Sequence, residues 1–298
     1  MKNLLIIPIY CCVTVLLLVP LNKVYSRLSE SKEFNGYYAL ENSAQQVNFG
    51  SRIHNSYAHE LEINWIVSRL QLNGWNIQVQ EGKYQNRNVS NIIAMNSVNP
   101  PEILIGAHFD SRLESDRDPN PLKQTLPVPG ANDGASGVAV LVELSRIIDI
   151  SYPSIWLVFF DAEDDGDIKD QDWIMGSRFF VSTLEQTPKA VIILDMIGDK
   201  DLTIFREINS NINITDDIWK LADRFGFSDT FIDTEKYSML DDHIPFLENS
   251  IPSVLLIDFD YDYWHTTADT IDKLSSASLG KVGSTILAWI NQFESLIY

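Results

Sequence analysis

The 298-residue chain has only two cysteines, Cys11 and Cys12, both inside an uncharged apolar run near the amino terminus. The rest of the chain therefore has no disulfide, no thiolate nucleophile and no thiolate metal ligand. Any metal must be held by His, Asp and Glu. Glycine and proline are also modest, at 14 and 12 residues, which excludes a fibrous or low-complexity disordered chain. Basic residues are scarce: 22 Lys and Arg face 41 Asp and Glu, a formal charge of -19. That field repels a phosphate backbone or an anionic lipid surface, so a nucleic-acid binder is excluded. It favours neutral or cationic ligands, and a free amino terminus is one. Hydrophobic residues make up 45% of the chain, enough for a large buried core.

Lys2 opens a stretch from Asn3 to Asn22 with no charge, closed by Lys23 and Ser26. A basic residue before a long apolar run reads as a secretory signal or an uncleaved anchor over residues 1–26. The expected location is outside the cytoplasm: secreted, periplasmic or anchored to the outer face of a membrane. Contact with a membrane is expected only through that anchor. Two glycosylation triplets, Asn88-Val89-Ser90 and Asn213-Ile214-Thr215, are of a kind that chance produces often.

From residue 36 to 298 the pattern alternates between helix and strand. Helices are expected at Tyr37 to Val47, Tyr57 to Leu72, Ala135 to Ile148, Ser177 to Leu184, Thr215 to Phe225 and Ser278 to Leu296. Strands are expected at Asn76 to Gln80, Ser90 to Met95, Glu102 to Ala107, Ser154 to Phe160, Ala190 to Leu194 and Ser253 to Ile257. The unbroken apolar run Ile-Trp-Leu-Val-Phe-Phe ending at Phe160 is that of a strand buried on both faces. Residues 111–130, rich in Asp, Pro and Asn, read as a solvated loop that includes Arg112, Arg117 and Asp118. This order implies one α/β domain, an α/β/α sandwich around a central, mostly parallel mixed sheet.

Open sheets of this class bind ligands beyond the carboxyl ends of their strands. Acidic residues and histidines gather there. His108-Phe109-Asp110 follows one strand, and Asn132-Asp133-Gly134 precedes a helix. Asp161-Ala162-Glu163-Asp164, Asp195 and Trp264-His265 follow three more strands. Each alone has a plain explanation, such as a helix cap, a turn or a solvated acidic loop. Together, two His and several carboxylates suit a borderline-hard divalent metal, zinc above all. Asp110 is placed to orient the His108 ring. The adjacent carboxylates Glu163 and Asp164 supply one ligand and one free base, the pairing that metal-assisted acyl transfer or hydrolysis needs.

The ordered series Gly-Ala-His108-Phe-Asp110, Gly-Ala-Asn-Asp133-Gly-Ala-Ser-Gly, Phe-Phe-Asp-Ala-Glu163-Asp164, Leu-Asp195-Met-Ile-Gly and Trp264-His265-Thr-Thr-Ala-Asp269-Thr resembles the zinc aminopeptidase family. Within it, Gly176-Ser177-Arg178, Asp241-Asp242-His243-Ile244-Pro245-Phe246 and the Trp before His265 are most similar to the glutaminyl cyclase branch. The resemblance implies one zinc held by Asp133, Asp164 and His265, with Glu163 as proton shuttle. It implies that Asp195 and Asp241 form an acid network around the substrate amine, and that Trp264 packs against the substrate side chain. The substrates it implies are peptide or protein amino termini, with terminal Gln converted to pyroglutamate. In the aminopeptidase branch, His108 and Asp195 with a bridging Asp133 would hold a second zinc, and Glu163 would activate water. One departure stands out: both branches usually have Glu-Glu where this chain has Glu163-Asp164. Plainer readings are core packing for Trp264 and, for Asp241-Asp242, an amino-terminal cap on a helix from Ile244 to Glu248.

Overall fold

The computed structural model describes residues 33–148 and 153–297. The expected signal or anchor, residues 1–26, lies outside the described residues. Among the latter, no helix is long and apolar enough to cross a membrane.

Among the described residues the eight strands are β1 (Asn76–Tyr84), β2 (Arg87–Met95), β3 (Ile103–His108), β4 (Ile155–Phe160), β5 (Ala190–Asp195), β6 (Ile204–Glu207), β7 (Phe231–Tyr237) and β8 (Ser253–Ile257). The seven α-helices described are α1 (Gly36–Asn48), α2 (Tyr57–Leu72), α3 (Ala135–Ile147), α4 (Met175–Ser182), α5 (Ile212–Arg224), α6 (Ile244–Glu248) and α7 (Ser276–Ile297). The main sheet runs β1-β2-β4-β3-β5-β8. Its four central and edge strands β4, β3, β5 and β8 are parallel, with Ile105 opposite Leu157 and Leu194 opposite Leu256. β1 and β2 join antiparallel.

Side-chain alternation along the strands builds two cores. Ile105, Leu157, Phe159, Ile192 and Leu194 point to one face and pack with Ile66, Val138, Ile218, Ile286 and Trp289 from α2, α3, α5 and α7. Leu104, Val158, Phe160, Ile193 and Leu255 point to the other and pack with Phe180 of α4 and Phe246 of α6. The result is the expected three-layer sandwich. Strands buried on both faces need no polar alternation, which is why they read as continuous apolar runs.

Three differences from the sequence reading have local causes. β1 and β2 are longer than expected because Gln85 and Asn86, both at positive φ, close a two-residue hairpin between them; neither is the Gly that marks such turns. α5 starts three residues early, where Asn211 accepts the amide protons of Asn213 and Ile214. α4 starts at Met175, after Ile174 turns the chain at φ 55. The two-stranded parallel sheet of β6 and β7 was not expected, since its strands are short and half exposed.

Helix α3 is buried along nearly its whole length. A Cβ on Gly137, in its first turn, would stand 2.4 Å from Leu194 O and 2.8 Å from Ala107 Cβ. The small residues before and inside α3 thus let it press onto the ends of β3 and β5. Gly137→Ala is expected to lower stability by about 1–3 kcal/mol through overpacking, seen as a lower urea midpoint with an unchanged slope. An unchanged midpoint would show that this contact can relax.

Candidate functional site

The carboxyl ends of β3, β4, β5 and β8 deliver the polar residues singled out in the sequence to one place. His108 ends β3 and Asp195 ends β5; Glu163 and Asp164 follow β4; Asp133 stands just before α3; His265 lies in the loop after β8. All six are buried. The turns that aim them use left-handed backbone: Ala162 at φ 54, Met196 at 45, His265 at 55 and Gly134 at 91. Three of those residues are not glycine, so the surrounding structure must hold them there against a cost of about 1–3 kcal/mol each.

His108 Nε2 lies 3.1 Å from Asp195 Oδ1 and 3.2 Å from Asp133 Oδ1. His265 Nε2 lies 3.0 Å from Asp164 Oδ1 and 3.7 Å from Asp133 Oδ2. Two sets of donor atoms result, each within 4.8 Å, and they share Asp133. Asp164 reaches His265 despite having one methylene fewer than Glu. Asp133 Oδ2 and Asp164 Oδ2 are buried without a hydrogen-bond partner. Orphaned carboxylate oxygens facing imidazole nitrogens, with no thiolate nearby, fit a divalent cation of the borderline class.

The electrostatics point the same way. Burial, and then the charge of Asp133, push the Asp164 carboxyl up to about 7. Burial also drives Glu163 well above the ordinary carboxylate range, with Asp164, Asp241 and Asp242 adding to it. Asp241 rises well above its usual value through burial and the charges of Asp195 and Asp242, and Asp195 rises through burial. Burial alone would lower His265, but Asp164 and Asp116 outweigh it and raise the imidazole to about 9. Negative charge exceeds what the side chains can balance.

A second ring of residues holds the first. Asp110 accepts the amide protons of Glu163 at 3.1 Å and Asp164 at 3.2 Å. Its Oδ1 also lies 3.5 Å from His108 Nδ1. The carboxylate expected to orient His108 thus braces the Glu163-Asp164 turn as well. Asp269 does the same for the other loop, accepting from the amides of Asn132 at 2.9 Å and Asp133 at 3.2 Å. Tyr261 donates to Asp269 at 2.6 Å. Asn132 in turn accepts the Gly198 amide proton at 2.7 Å, tying the turn before α3 to the segment after β5.

The expectation of a solvated loop over residues 111–130 holds for residues 119–123, which are exposed, and is corrected for the stretch before them. Arg112 is buried and donates to Asp164 O at 3.0 Å, to Gly166 O at 3.2 Å and to Asp116 at 2.7 Å. Asp118 is buried too and accepts from the Thr267 hydroxyl at 2.6 Å, whereas Arg117 is largely exposed. Asp116 stands 3.4 Å from His265 Nδ1, the nitrogen that would remain free if Nε2 held a metal. Sequence reasoning missed Asp116, whose only signal was its place four residues after Arg112.

These groups open into a cavity of about 190 Å³. Glu163, Asp195 and Asp241 form its acidic side, and Ile257, Phe259, Trp264, Met196, Met239 and Trp173 its apolar side. Trp264 is half-buried and stacks on His265 with ring centroids 3.8 Å apart; Trp173, which no sequence signal marked, lies parallel to the same imidazole at 5.9 Å. Trp264 is thus cavity wall as well as packing. Asp241 does not cap α6 through its side chain: its carbonyl accepts the Ile244 amide proton, and its carboxylate accepts that of Asp242 at 2.6 Å. Gly176-Ser177-Arg178 stays out of the cavity. Gly176 abuts the Asp161 backbone, and Arg178 pairs with Glu248 at 2.7 Å.

Residues 88–290 match the model of peptidase family M28. Among solved structures, a Zn-dependent exopeptidase from Parabacteroides distasonis is 32% identical, with a TM-score of 0.81 over 87% of this chain and 99% of that one. Glutaminyl cyclase of Tannerella forsythia is 30% identical, with a TM-score of 0.80 over 87% and 98%. A leucine aminopeptidase precursor from Bacteroides thetaiotaomicron is 28% identical, with a TM-score of 0.82 over 87% and 97%.

Because His265 is raised to about 9, it is protonated at pH 7.5 in the metal-free protein. A cation that takes its Nε2 must displace that proton. Adding zinc to metal-free protein at pH 7.5 is therefore expected to acidify a weakly buffered solution, and the release should fade as pH rises through about 9. Zinc uptake with no proton release would remove His265 from the donor set.

Proposed function

The chain belongs to peptidase family M28, and from that premise we propose that it is a zinc-dependent glutaminyl-peptide cyclotransferase. On this reading it converts the terminal Gln of peptides to pyroglutamate with release of ammonia. The observation that carries the reading is the small cavity beside the donor set, acidic on one side and walled by Trp264, Phe259 and Ile257 on the other. A Gln residue that folds its side chain back onto its own amine needs a space of that kind.

In this proposal Asp133, Asp164 and His265 hold the zinc, which when bound polarises the γ-carboxamide carbonyl and stabilises the charge that develops on its oxygen. Asp195 and Asp241 hold the α-amine. Trp264 packs along the substrate methylenes and limits the side chain to conformers in which amine and amide carbon are close, an effect that supplies much of the rate in an intramolecular reaction. Glu163 takes a proton from the attacking amine and returns one to the departing ammonia. Burial and neighbouring carboxylates raise Glu163, the direction that suits a group accepting and returning a proton near neutral pH. The negative protein draws in a cationic amino terminus. Residues 1–26 would serve as signal or anchor for an exported enzyme.

A second reading, hydrolysis of the first peptide bond by an aminopeptidase, is favoured by the other donor set. His108, Asp133 and Asp195 lie as close together as the first group and would hold a second zinc, with Glu163 activating water.

Incubation of the purified protein with Gln-peptides and Leu-peptides, followed by mass spectrometry, separates the two reactions. Loss of ammonia from Gln-peptides is expected, with Leu-peptides intact. Release of free amino acids without ammonia would overturn the cyclase reading in favour of the peptidase. Glu163→Gln is expected to lower turnover by roughly two to four orders of magnitude while zinc stays bound; loss of the zinc instead would make Glu163 a ligand. Trp264→Ala should cut ammonia release at least about tenfold, or about 1.4 kcal/mol of transition-state binding. Full activity in that variant would leave the wall without a role.

A further inference from the structure

One more group of donor atoms stands apart from the cavity. His54 lies in the connection between α1 and α2, His59 in the first turn of α2, and Asp161 one residue past the end of β4. His59 Nε2 is 2.7 Å and His54 Nδ1 is 3.1 Å from the same oxygen, Asp161 Oδ1. The three offer donor atoms within 4.8 Å of one another. These spacings resemble those between His265 and Asp164 or His108 and Asp195. The side chains of His54 and His59 are 5% and 6% exposed, and Asp161 is fully buried.

A simple hydrogen-bonded brace accounts for part of this arrangement. Asp161 Oδ2 accepts the Ser90 amide proton at 2.9 Å, and one imidazole would suffice to tie α2 to the strand. Two imidazoles, one from the connection and one from the first turn of α2, instead meet at one oxygen. Beside His54 opens a polar cavity of about 620 Å³ bordered by Asn55, Asn88, Arg87 and Asp165, room enough for water to complete a coordination shell.

We propose that His54, His59 and Asp161 form a separate binding site for a divalent first-row transition cation, zinc by preference, with water from the adjoining cavity as the remaining ligand. Two imidazoles and a carboxylate are a set that zinc accepts with an open fourth position. The ion would fasten the connection before α2, and α2 itself, to the end of β4, two residues before Glu163. None of the three residues lines the cavity assigned to the substrate, so the site stabilises the turn rather than taking part in the reaction. Brace and metal site differ in what they require of these imidazoles: a brace needs a proton on both facing nitrogens, whereas a metal needs both lone pairs.

The test counts ions in the full chain. Metal-stripped protein is loaded with zinc, freed of excess by gel filtration and measured by elemental analysis, for wild type, His54→Gln, His59→Gln and His265→Ala. His54→Gln and His59→Gln are each expected to hold one zinc fewer than wild type. Zinc should also raise the melting temperature of His265→Ala, by binding the folded state alone, and raise that of His59→Gln/His265→Ala by less, whatever the set of His108, Asp133 and Asp195 holds in both. Equal zinc content in wild type, His54→Gln and His59→Gln overturns the proposal and leaves the hydrogen-bonded brace. Should His59→Gln not fold, the count in His54→Gln decides, since His54 belongs to a connection and no helix depends on it. Loss of zinc in His265→Ala reports the main centre, so the two assignments fail separately.

Discussion

The structure turns on a concentration of buried carboxylates that the protein's own cations do not balance. Asp133, Glu163, Asp164, Asp195, Asp241, Asp242 and Asp269 are all buried, while the charged partners close to them are two imidazoles and Arg112. Burying an unpaired ion costs several kcal/mol, and here the strain appears as raised carboxyl groups and orphaned oxygens. A bound divalent cation would relieve it at one point. The fold must hold the acids in register for that ion, and much of its detail serves this purpose.

The means is a division of labour among the acids themselves. Asp110 and Asp269 face backbone amides and fix the turns that carry Glu163, Asp164 and Asp133. The other acids are left facing the cavity. Left-handed residues at Ala162, Met196 and His265 then direct the side chains inward. A parallel sheet packed on both faces, with α3 pressed against its strand ends through Gly137, is stiff enough to sustain those conformations. Aromatic rings complete the centre: Trp264 and Trp173 lie along His265 and limit its ring orientation while lining the cavity.

The two chemistries considered for this site share their donors and their base. Both can be drawn on the same Asp133, Asp164, His265 and Glu163, and the extra pair His108 and Asp195 is within reach of Asp133 in either case. The distinction therefore rests on the shape of the wall. An acyl acceptor that belongs to the substrate must be folded against an apolar surface, whereas a water nucleophile needs a bond laid open beside the metal. On the proposed function, substrate choice would in this sense be a property of Trp264, Phe259 and Ile257 more than of the acids.

Layer order, strand identity and the residues at the strand ends were legible along the chain, because strands buried on two faces must be apolar throughout and polar residues at their exits interrupt that run abruptly. His108, Glu163, Asp164 and Asp195 announce themselves in this way; Asp133 and His265 do so by the motifs around them, before α3 and after β8. Other features depend on contacts between residues far apart in the chain. Arg112 and Asp118 looked like part of a solvated loop because a polar segment carries no mark of what will cover it; their burial follows from partners at Asp164 and Thr267. Asp116, Trp173 and the convergence of His54 and His59 on Asp161 came into view only in three dimensions. The hairpin at Gln85-Asn86 was likewise settled by pairing of its strands rather than by turn residues. Local chemistry determined which residues had to be inside and which could react; only the tertiary structure decided which of them meet, because that depends on packing between elements that the order of residues does not display.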